Sequence, residues 1–363
     1  MNKIYVHVSL NFDGGVGTVV KNLVANQIKN NDEVILVGRP EQSIILNSLR
    51  ERFYCEIRFF KPKVSVLPQI IKGKNLKKIY LDILRERNNK NIIFIVHNVG
   101  TIGLFGKCIK NTFVIIHGHE NKLGIIPCIF YQLLFAKLKK KCIFISCSKE
   151  CGNYYAYKYR LQSHVIQNGL NVLGHKKDLY TYKRTLNVCM LSTLNEYKGF
   201  QFFLEAATIC CKKTNDIMFY AIGKNDMSFD IESKSSYLGL DNNFRYLGED
   251  YDAADKYLPN MDLLILPSQM EGLPMSLIEA QAYGIPILAT EVGGIPEILK
   301  DGYNGYFIKR NGDDIADKIT KCSDIGNYIK LSQNSKNLYM QNFTAEKMFS
   351  NYENFINETL GSI

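Results

Sequence analysis

The chain has 363 residues, enough for two domains, and its hydrophobic content of 46% is ordinary for a globular protein. No apolar run approaches the roughly 20 residues that a membrane-spanning helix requires, so we expect no transmembrane segment. The N-terminal segment enters a strand-like alternation directly, so we expect no signal peptide. Ten cysteines are scattered without a CxxC pair, which indicates reduced thiols and not a disulfide framework.

The net charge of +10 is unevenly distributed along the chain. Residues 1–165 contain 26 Lys and Arg against 10 Asp and Glu, whereas the remaining residues contain 19 against 25. The cations concentrate in the segments 72–78 and 136–142. A basic half predicts an anionic partner, and the candidates are a membrane face, a polyphosphate or a nucleic acid. A lysine-rich solvated surface is the simpler alternative.

The first half of the chain alternates short β-branched runs with longer amphipathic stretches. The predicted strands are Ile4–Leu10, Glu33–Gly38, Ile92–His97, Phe113–His117 and Cys142–Cys147. The predicted helices span 16–30, 41–51, 74–87, 100–110, 123–140 and 148–158. Such a βαβ series predicts a parallel sheet that is covered by helices on both faces.

A second series begins after the Asn-Gly turn signal in 165–171, which is a plausible linker. Its predicted strands are Asn187–Leu191, Ile217–Ile222, Phe244–Leu247, Leu263–Leu266, Pro286–Ala289 and Gly305–Ile308, and its predicted helices include 198–213, 313–321 and 345–360. We therefore predict an α/β fold with two Rossmann-like domains, 1–165 and 166–340, whose parallel sheets face each other across a cleft. A C-terminal helix within 341–363 is expected to cross back to the first domain.

The most informative segment follows the fourth predicted strand of the second series. Ligands of open α/β sheets bind beyond the carboxyl ends of the strands, and Ser268, Glu271 and Gly272 occupy that position. A helix is expected to begin near Pro274, where its first amides and its dipole can hold a phosphate. Glu279 lies about one turn inside that helix. Two carboxylates would repel a diphosphate unless they accept hydrogen bonds from hydroxyls on either side of it, which describes a nucleotide-sugar.

This segment resembles the retaining glycosyltransferases of the GT-B fold, especially family 4, the glycosyltransferase group 1 family. Their pattern of two Glu separated by seven residues, inside PS..EG.....EA...G.P, matches from Pro267 to Pro286. The likeness continues in DGGVGT (13–18), VIQNGLN (165–171), LNEYKGF (194–200), FRYLG (244–248) and GGIPEILKDGYNGYFI (293–308). The matching motifs therefore lie in both predicted domains.

The resemblance implies a role for each matching residue. Glu279 would bind the ribose of the donor, Glu271 the transferred sugar, and Lys198 the diphosphate. The arginine that the family usually has five residues before this lysine is Thr193 here. The implied donor-binding set is Gly14, Gly15, Lys198, Ser268, Glu271, Gly272, Leu273, Pro274, Met275, Ser276 and Glu279. No metal is implied, because cationic side chains and helix dipoles can carry the leaving-group charge.

Histidines complete the predicted site. His117, at the end of its predicted strand, matches the family histidine that lines the sugar, so the implied catalytic set is His117, Lys198 and Glu271. His119 is a near competitor for that role, and His97 would line the acceptor side.

The resemblance implies transfer of a sugar from a UDP- or GDP-linked donor, without another cofactor, to a glycan hydroxyl with retention of configuration. The basic first domain predicts an acceptor on a polyprenyl diphosphate. We expect no nucleic-acid partner, because the sequence has no nucleic-acid recognition motif and no interleaving of aromatic and basic residues. We expect a peripheral enzyme on the cytoplasmic face of the plasma membrane that assembles an O-antigen or capsule. The alternatives are a nucleotide-sugar 2-epimerase of the same architecture, a dinucleotide oxidoreductase, and a non-enzymatic nucleic-acid-binding protein.

Overall fold

The protein divides into two compact units, each built on its own sheet. The computed structural model describes residues 2–60, 63–64, 71–72, 74–88, 91–97, 111–118, 132–133, 135–136, 138–172, 174 and 185–361. The first unit comprises Met1–Gly169 together with Ala345–Ile363, and the second comprises Leu170–Thr344. The predicted boundaries are 165 and 340.

A seven-stranded sheet forms the centre of the first unit, in the order β3-β2-β1-β6-β7-β8-β9, and all of its pairings are parallel. Its strands are β1 (Ile4–Ser9), β2 (Glu33–Gly38), β3 (Glu56–Phe59), β6 (Ile92–His97), β7 (Thr112–Ile116), β8 (Ile143–Ser146) and β9 (His164–Val165). An antiparallel pair, β4 (Lys63–Val64) and β5 (Ile71–Lys72), is separate from it. The central strands β6 and β7 are buried along their whole length, as expected for a parallel sheet covered on both faces.

The helices of the first unit include the last helix of the chain. They are α1 (Gly14–Lys29), α2 (Ser43–Phe53), α3 (Lys74–Glu86), α4 (Lys149–Tyr159) and α12 (Ala345–Gly361). Helix α12 packs against α1, and its Glu353 accepts hydrogen bonds from Lys3 and Tyr5 of the N-terminal segment. The predicted helix at 100–110 lies outside the described residues, and so do residues 123–131 of the helix predicted at 123–140.

A six-stranded parallel sheet forms the centre of the second unit, in the order β12-β11-β10-β13-β14-β15. Its strands are β10 (Leu186–Leu191), β11 (Ile217–Ile222), β12 (Phe244–Tyr246), β13 (Leu263–Leu266), β14 (Ile287–Ala289) and β15 (Gly305–Phe307). From β10 the chain adds strands in one direction, and from β13 it adds them in the other. The sheet therefore has its topological switch point between β10 and β13, where open α/β sheets bind their ligands.

The helices of the second unit include one that the sequence analysis did not predict. They are α5 (Phe200–Cys211), α6 (Ile231–Tyr237), α7 (Ala253–Tyr257), α8 (Met275–Ala282), α9 (Ile295–Ile298), α10 (Gly312–Ser323) and α11 (Ile325–Asn342). The missed helix is α11, whose buried face carries Ser332 and Ser335. Their hydroxyls donate to the carbonyls of Gly284 and Ile285. Because polar residues occupy buried positions of this helix, its sequence lacks the regular spacing of apolar residues by which a helix is predicted.

Strands β3 and β9 were also absent from the prediction. Both lie at the edges of their sheet and are short, so the alternation that marks a strand has little length in which to appear. Within the described ranges, no helix combines the length and the apolar character that crossing a membrane requires. The described cysteines are all unbridged thiols, as the scattered spacing predicts.

Candidate active site

An ion pair lies at the topological switch point of the second sheet. Lys198 follows β10 in the loop that leads into α5, and Glu271 follows β13 in the loop that leads into α8. The Nζ atom of Lys198 lies 2.6 Å from Oε1 of Glu271. The Glu271 side chain is only 8% exposed, whereas that of Lys198 is 25% exposed. The parallel pairing of β10 with β13 thus brings together two residues that are 73 positions apart in the sequence.

The Glu271 carboxylate is held from a second direction by Ser268. The buried Ser268 hydroxyl donates to Oε1 of Glu271 at 2.6 Å. The hydroxyl of Thr290, which follows β14, donates in turn to the backbone carbonyl of Ser268 at 2.6 Å. Because hydrogen bonds to a charged acceptor are stronger than neutral ones, this arrangement fixes the carboxylate against the ends of two neighbouring strands.

Glycines allow the backbone to pack closely around this loop. Gly293 has a φ of +55°, and a Cβ atom there would overlap the carbonyl oxygen of Glu271. The next amide, that of Gly294, donates to the same carbonyl at 3.3 Å. Gly199, with a φ of +81°, meets the Pro267 carbonyl in the same way. Only glycine combines a positive φ with so close an approach, so these positions shape both loops that hold the ion pair.

The Lys198 loop is anchored independently of its ion pair. The Lys198 amide donates to Oδ1 of Asn195 at 2.8 Å, and the Gln269 amide donates to the carbonyl of Tyr197 at 2.9 Å. The second of these bonds joins the loop after β10 to the loop after β13. The two loops therefore form one hydrogen-bonded structure at the switch point.

Helix α8 begins beside Glu271. Its first residue is Met275, and Pro274 precedes it in an extended conformation. Leu273, Pro274 and Met275 are buried, whereas Gly272 and Ser276 are partly exposed. The first amides of a helix have no partner within the helix, and its N-terminus carries a partial positive charge. Glu279 lies one turn further along the same helix and is half-buried.

The glycines of the first unit occupy the turn between β1 and α1. Helix α1 begins at Gly14, which has a φ of +55° and open space around it, and Gly14 and Gly15 are both exposed. The turn needs glycine most at Gly17, where a Cβ atom would overlap the Phe12 carbonyl. The helix was predicted to begin at residue 16, two residues after its observed start. Gly14 and Gly15, the two glycines predicted for the site, both lie in its exposed first turn.

Three histidines form a hydrogen-bonded row across neighbouring strands of the first sheet. His7 lies in β1, His97 ends β6 and His117 follows β7. Nδ1 of His7 lies 3.0 Å from Nε2 of His97, and Nδ1 of His97 lies 3.0 Å from Nε2 of His117. The amide oxygen of Gln27, in α1, lies 2.9 Å from Nε2 of His7. We call His7, His97 and His117 the histidine row. His119, the predicted competitor of His117, lies outside the described residues.

Burial keeps the histidine row neutral. His7 and His97 have no exposed surface. Removal from water lowers the pKa of His7 and of His117 to about 4 and holds that of His97 well below its usual range. His97 is depressed further by its two histidine neighbours. Each ring is therefore an uncharged imidazole near neutral pH, with one nitrogen that donates and one that accepts.

Comparison with known proteins shows which enzymes the second unit is similar to. Residues 174–337 match the family model described as glycosyl transferases group 1. The chain is a glycosyltransferase. An uncharacterized 41.2 kDa protein in the cps region of Klebsiella pneumoniae is 23% identical over 347 residues, which are 88% of each chain. The UDP-Gal:alpha-D-GlcNAc-diphosphoundecaprenol alpha-1,3-galactosyltransferase of Escherichia coli is 22% identical over 311 residues, which are 71% of this chain and 79% of that protein.

The structural comparison confirms the predicted fold of the glycosyltransferase. The crystal structure of Anabaena HepE in complex with UDP and glucose has a TM-score of 0.74 and 17% identity, and the match covers 100% of both chains. The two Rossmann-like units with parallel sheets are those of the GT-B class. The group 1 motif predicted around Glu271 lies within residues 174–337, and the family match confirms it there.

A further cation of the glycosyltransferase, Arg310, contacts the loop that carries Lys198 and was not predicted. A concavity of about 680 Å³ is lined by Asn195, Glu196, Tyr197, Gln201, Phe202, Asp226, Gln269 and Arg310. In it, Arg310 donates from Nη2 to the Glu196 carbonyl at 2.7 Å and lies over the Phe202 ring. Thr193, in place of the family arginine, is exposed. The sequence signal that could have identified Arg310 is its position two residues after the predicted strand Gly305–Ile308, where ligand-binding side chains are expected.

Two members of the hydrogen-bonded set in the first unit, His7 and Gln27, were not predicted. His7 is one polar residue within an apolar strand, and Gln27 is one buried amide in α1. Neither carries a local signal of its own. His97 had been predicted to line the acceptor side, and the structure instead makes it the fully buried centre of the histidine row.

Proposed function

We propose that this glycosyltransferase moves a sugar, with retention of configuration, from a nucleotide diphosphate sugar to a hydroxyl of a lipid-linked glycan. The observation that carries the proposal is the Lys198–Glu271 pair at the switch point, beside the first turn of α8. The pair and the helix beside it supply one partly exposed cation, one buried carboxylate and the amides of a helix start. These are the groups that a diphosphate joined to a sugar requires.

The donor diphosphate would compete with Glu271 for Lys198. Ser268 and the surrounding backbone hold Glu271 in place, whereas Lys198 is the more exposed partner and has a flexible stem. We therefore assign Lys198 to the diphosphate, together with the amides of Met275 and Ser276. Glu271, released from its ion pair, is then an acceptor for hydroxyls of the transferred sugar.

The remaining predicted residues extend this donor site. Glu279, one turn into α8, is assigned to the ribose hydroxyls. Gly14 and Gly15, at the exposed start of α1, are assigned to the phosphates. His117 is assigned to the transferred sugar. The negative charge that develops on the leaving nucleotide would be stabilised by Lys198 and the helix amides, and a donor phosphate oxygen would take the proton of the acceptor hydroxyl.

The nature of both substrates is supported by the relatives. HepE was crystallised with UDP and glucose, and the Escherichia coli relative is named for a UDP-linked donor, a diphosphoundecaprenol acceptor and an alpha linkage. The Klebsiella relative is encoded in a cps region. We therefore propose a UDP-linked donor, a polyprenyl-diphosphate acceptor and a role in capsule or O-antigen assembly.

The charge of the first unit supports work at an anionic membrane surface on the cytoplasmic side. Its excess of Lys and Arg over Asp and Glu within 1–165 suits both a diphosphate lipid and the surrounding headgroups. Flotation with anionic vesicles at graded salt tests this part. We expect binding at low salt that weakens as salt rises, and no binding at low salt would contradict it.

Nucleotide release tests the donor site. The wild type, Glu279→Ala and the control Glu232→Ala, an exposed residue of α6, are compared with UDP- and GDP-sugars and a lipid-linked acceptor. We expect acceptor-dependent release in the wild type and the control, and a loss of at least about tenfold in Glu279→Ala, the value of one good hydrogen bond. Equal release by all three proteins would contradict the role of Glu279. The anomeric configuration of the product, read by NMR, decides retention.

A further inference from the structure

The histidine row ends at an amide oxygen, and this end determines where its protons lie. His7, His97 and His117 are joined by two contacts of 3.0 Å, and their neighbouring rings are inclined by only 17° and 20°. At the closed end, the Gln27 oxygen lies 2.9 Å from Nε2 of His7. At the other end is His117, whose only hydrogen bond among the described residues is the one to His97.

Each neutral imidazole has one N–H donor and one acceptor nitrogen, so the row has a single consistent order. An amide oxygen only accepts, and Nε2 of His7 must therefore carry a proton. Its Nδ1 is then an acceptor for Nε2–H of His97. By the same reasoning, Nδ1 of His97 accepts from Nε2–H of His117. His117 is left with a proton on Nε2 and a bare lone pair on Nδ1.

We propose that Gln27, His7 and His97 are positioning residues that hold His117 in its Nε2–H tautomer and thereby present Nδ1 as an acceptor to a hydroxyl of the transferred sugar. The inference rests on the proposed function, because it assigns His117 to that sugar. What it adds to that function is the direction of the hydrogen bond between His117 and the sugar. The sugar hydroxyl donates to Nδ1 of His117, and a donor sugar with a substituent that cannot donate at that position is disfavoured.

The same geometry excludes a proton relay along the row. A proton accepted at Nδ1 of His117 would pass from ring to ring and reach His7. There the Gln27 oxygen can accept a hydrogen bond but cannot take up the proton, so an imidazolium would remain where the structure has no exposed surface. Burying an uncompensated charge is costly, and the row therefore orients His117 without carrying its proton away.

Three variants of the full chain separate positioning from simple packing. Gln27→Leu removes the terminal acceptor from a side chain that is 2% exposed, and Gln27→Glu keeps an acceptor in its place. Asn26→Leu is the matched control, since Asn26 is a buried amide of the same helix whose side chain donates to the Asn22 carbonyl and not to the row. Thermal unfolding of each variant establishes that it is folded.

The first readout is the ¹⁵N spectrum of the histidine rings, with the His117 signals assigned from His117→Gln. We expect His117 to be protonated on Nε2 in the wild type, Asn26→Leu and Gln27→Glu, and to become a mixture of tautomers in Gln27→Leu. Protonation of wild-type His117 on Nδ1 would overturn the proposal. This result needs no turnover, so it is decided even if the proposed function fails or if Gln27→Leu does not fold.

The second readout is kinetic. With the donor identified by nucleotide release, we expect Gln27→Leu to lower kcat/KM by about tenfold, the loss of one hydrogen bond, and Gln27→Glu to restore it. A deoxy donor that lacks the hydroxyl facing His117 should be equally poor with the wild type and Gln27→Leu. Unchanged kcat/KM in a folded Gln27→Leu whose His117 tautomer is mixed would contradict the role in positioning. Absent turnover in the wild type would instead count against the proposed function.

Discussion

Lowering the pH from 7 to 5 is expected to destabilise the first unit through the histidine row. Burial lowers the pKa of His7 and His117 from 6.5 to about 4 in the folded protein. Between these values the unfolded chain binds protons that the folded chain does not bind. The folded first unit therefore has its full stability above the unfolded pKa of 6.5, and it loses stability as the pH falls from about 6.5 towards 4.

The size of the loss follows from the same values. A histidine whose pKa is near 4 when folded and 6.5 when unfolded loses about 2 kcal/mol of stabilisation between pH 7 and 5. His7, with no exposed surface, contributes this full amount. His117 contributes less because it is partly exposed, and together they amount to about 3 kcal/mol. His97 adds in the same direction. This is a large part of the roughly 5–15 kcal/mol that stabilises most proteins.

Hydrogen exchange measures the effect within the unit concerned. After correction for intrinsic exchange rates, the amides of β1, β6 and β7 should lose protection at pH 5, whereas those of β10 and β13 serve as an internal control. His7→Gln removes one titrating ring and should flatten the dependence by about 2 kcal/mol. Asn26→Leu, which leaves all three rings of the histidine row in place, should keep the slope of the wild type. Equal protection of the first sheet at pH 7 and 5 would refute the reasoning.

Three further predictions concern the second unit. Lys198→Met removes the only described ionic partner of Glu271. It should lower kcat/KM for the donor about 100-fold, because removing one group that stabilises charge in the transition state has an effect of this size. A loss below about threefold would contradict the assignment of Lys198 to the diphosphate. Gly293→Ala should reduce both the melting temperature and the donor affinity, because the added methyl group overlaps the Glu271 carbonyl. The control Gly239→Ala is at a similar positive φ but in open space, and it should lower the free energy of unfolding by only about 1 kcal/mol. Equal effects of the two substitutions would contradict the steric explanation. Ser335→Ala removes a buried donor from two backbone carbonyls and should lower the free energy of unfolding by about 1–3 kcal/mol in a urea titration, and no change would show that the bonds are dispensable.

Local features of the site could be predicted because their causes are local. The apolar run of β13, the proline before α8 and the glycine after this helix all lie within the 28 residues from Leu263 to Thr290. Spacing within such a segment determines which residues lie at the carboxyl end of a strand and which lie one turn into a helix. The position of Glu271 before α8 and of Glu279 within it follows from these rules.

Helix α11 and the edge strands show where the local rules fail. The buried face of α11 includes Ser332 and Ser335, which satisfy backbone carbonyls of the preceding segment, so the hydrophobic periodicity that predicts a helix is weak there. Burial of a hydroxyl is favourable only when the chain supplies its partner. That partner lies 48 or more residues away in the sequence and is supplied by the fold.

The two βαβ series, the group 1 motif and the start of α8 after Glu271 could all be predicted from the sequence alone. The tertiary structure decided which side chains meet. Lys198 and Glu271 are 73 residues apart, and His7 and His97 are 90 apart. Both pairs come together because β10 pairs with β13 and β1 pairs with β6, and this strand order is a property of the folded sheets. The ion pair and the histidine row are therefore consequences of topology, since no local spacing specifies them.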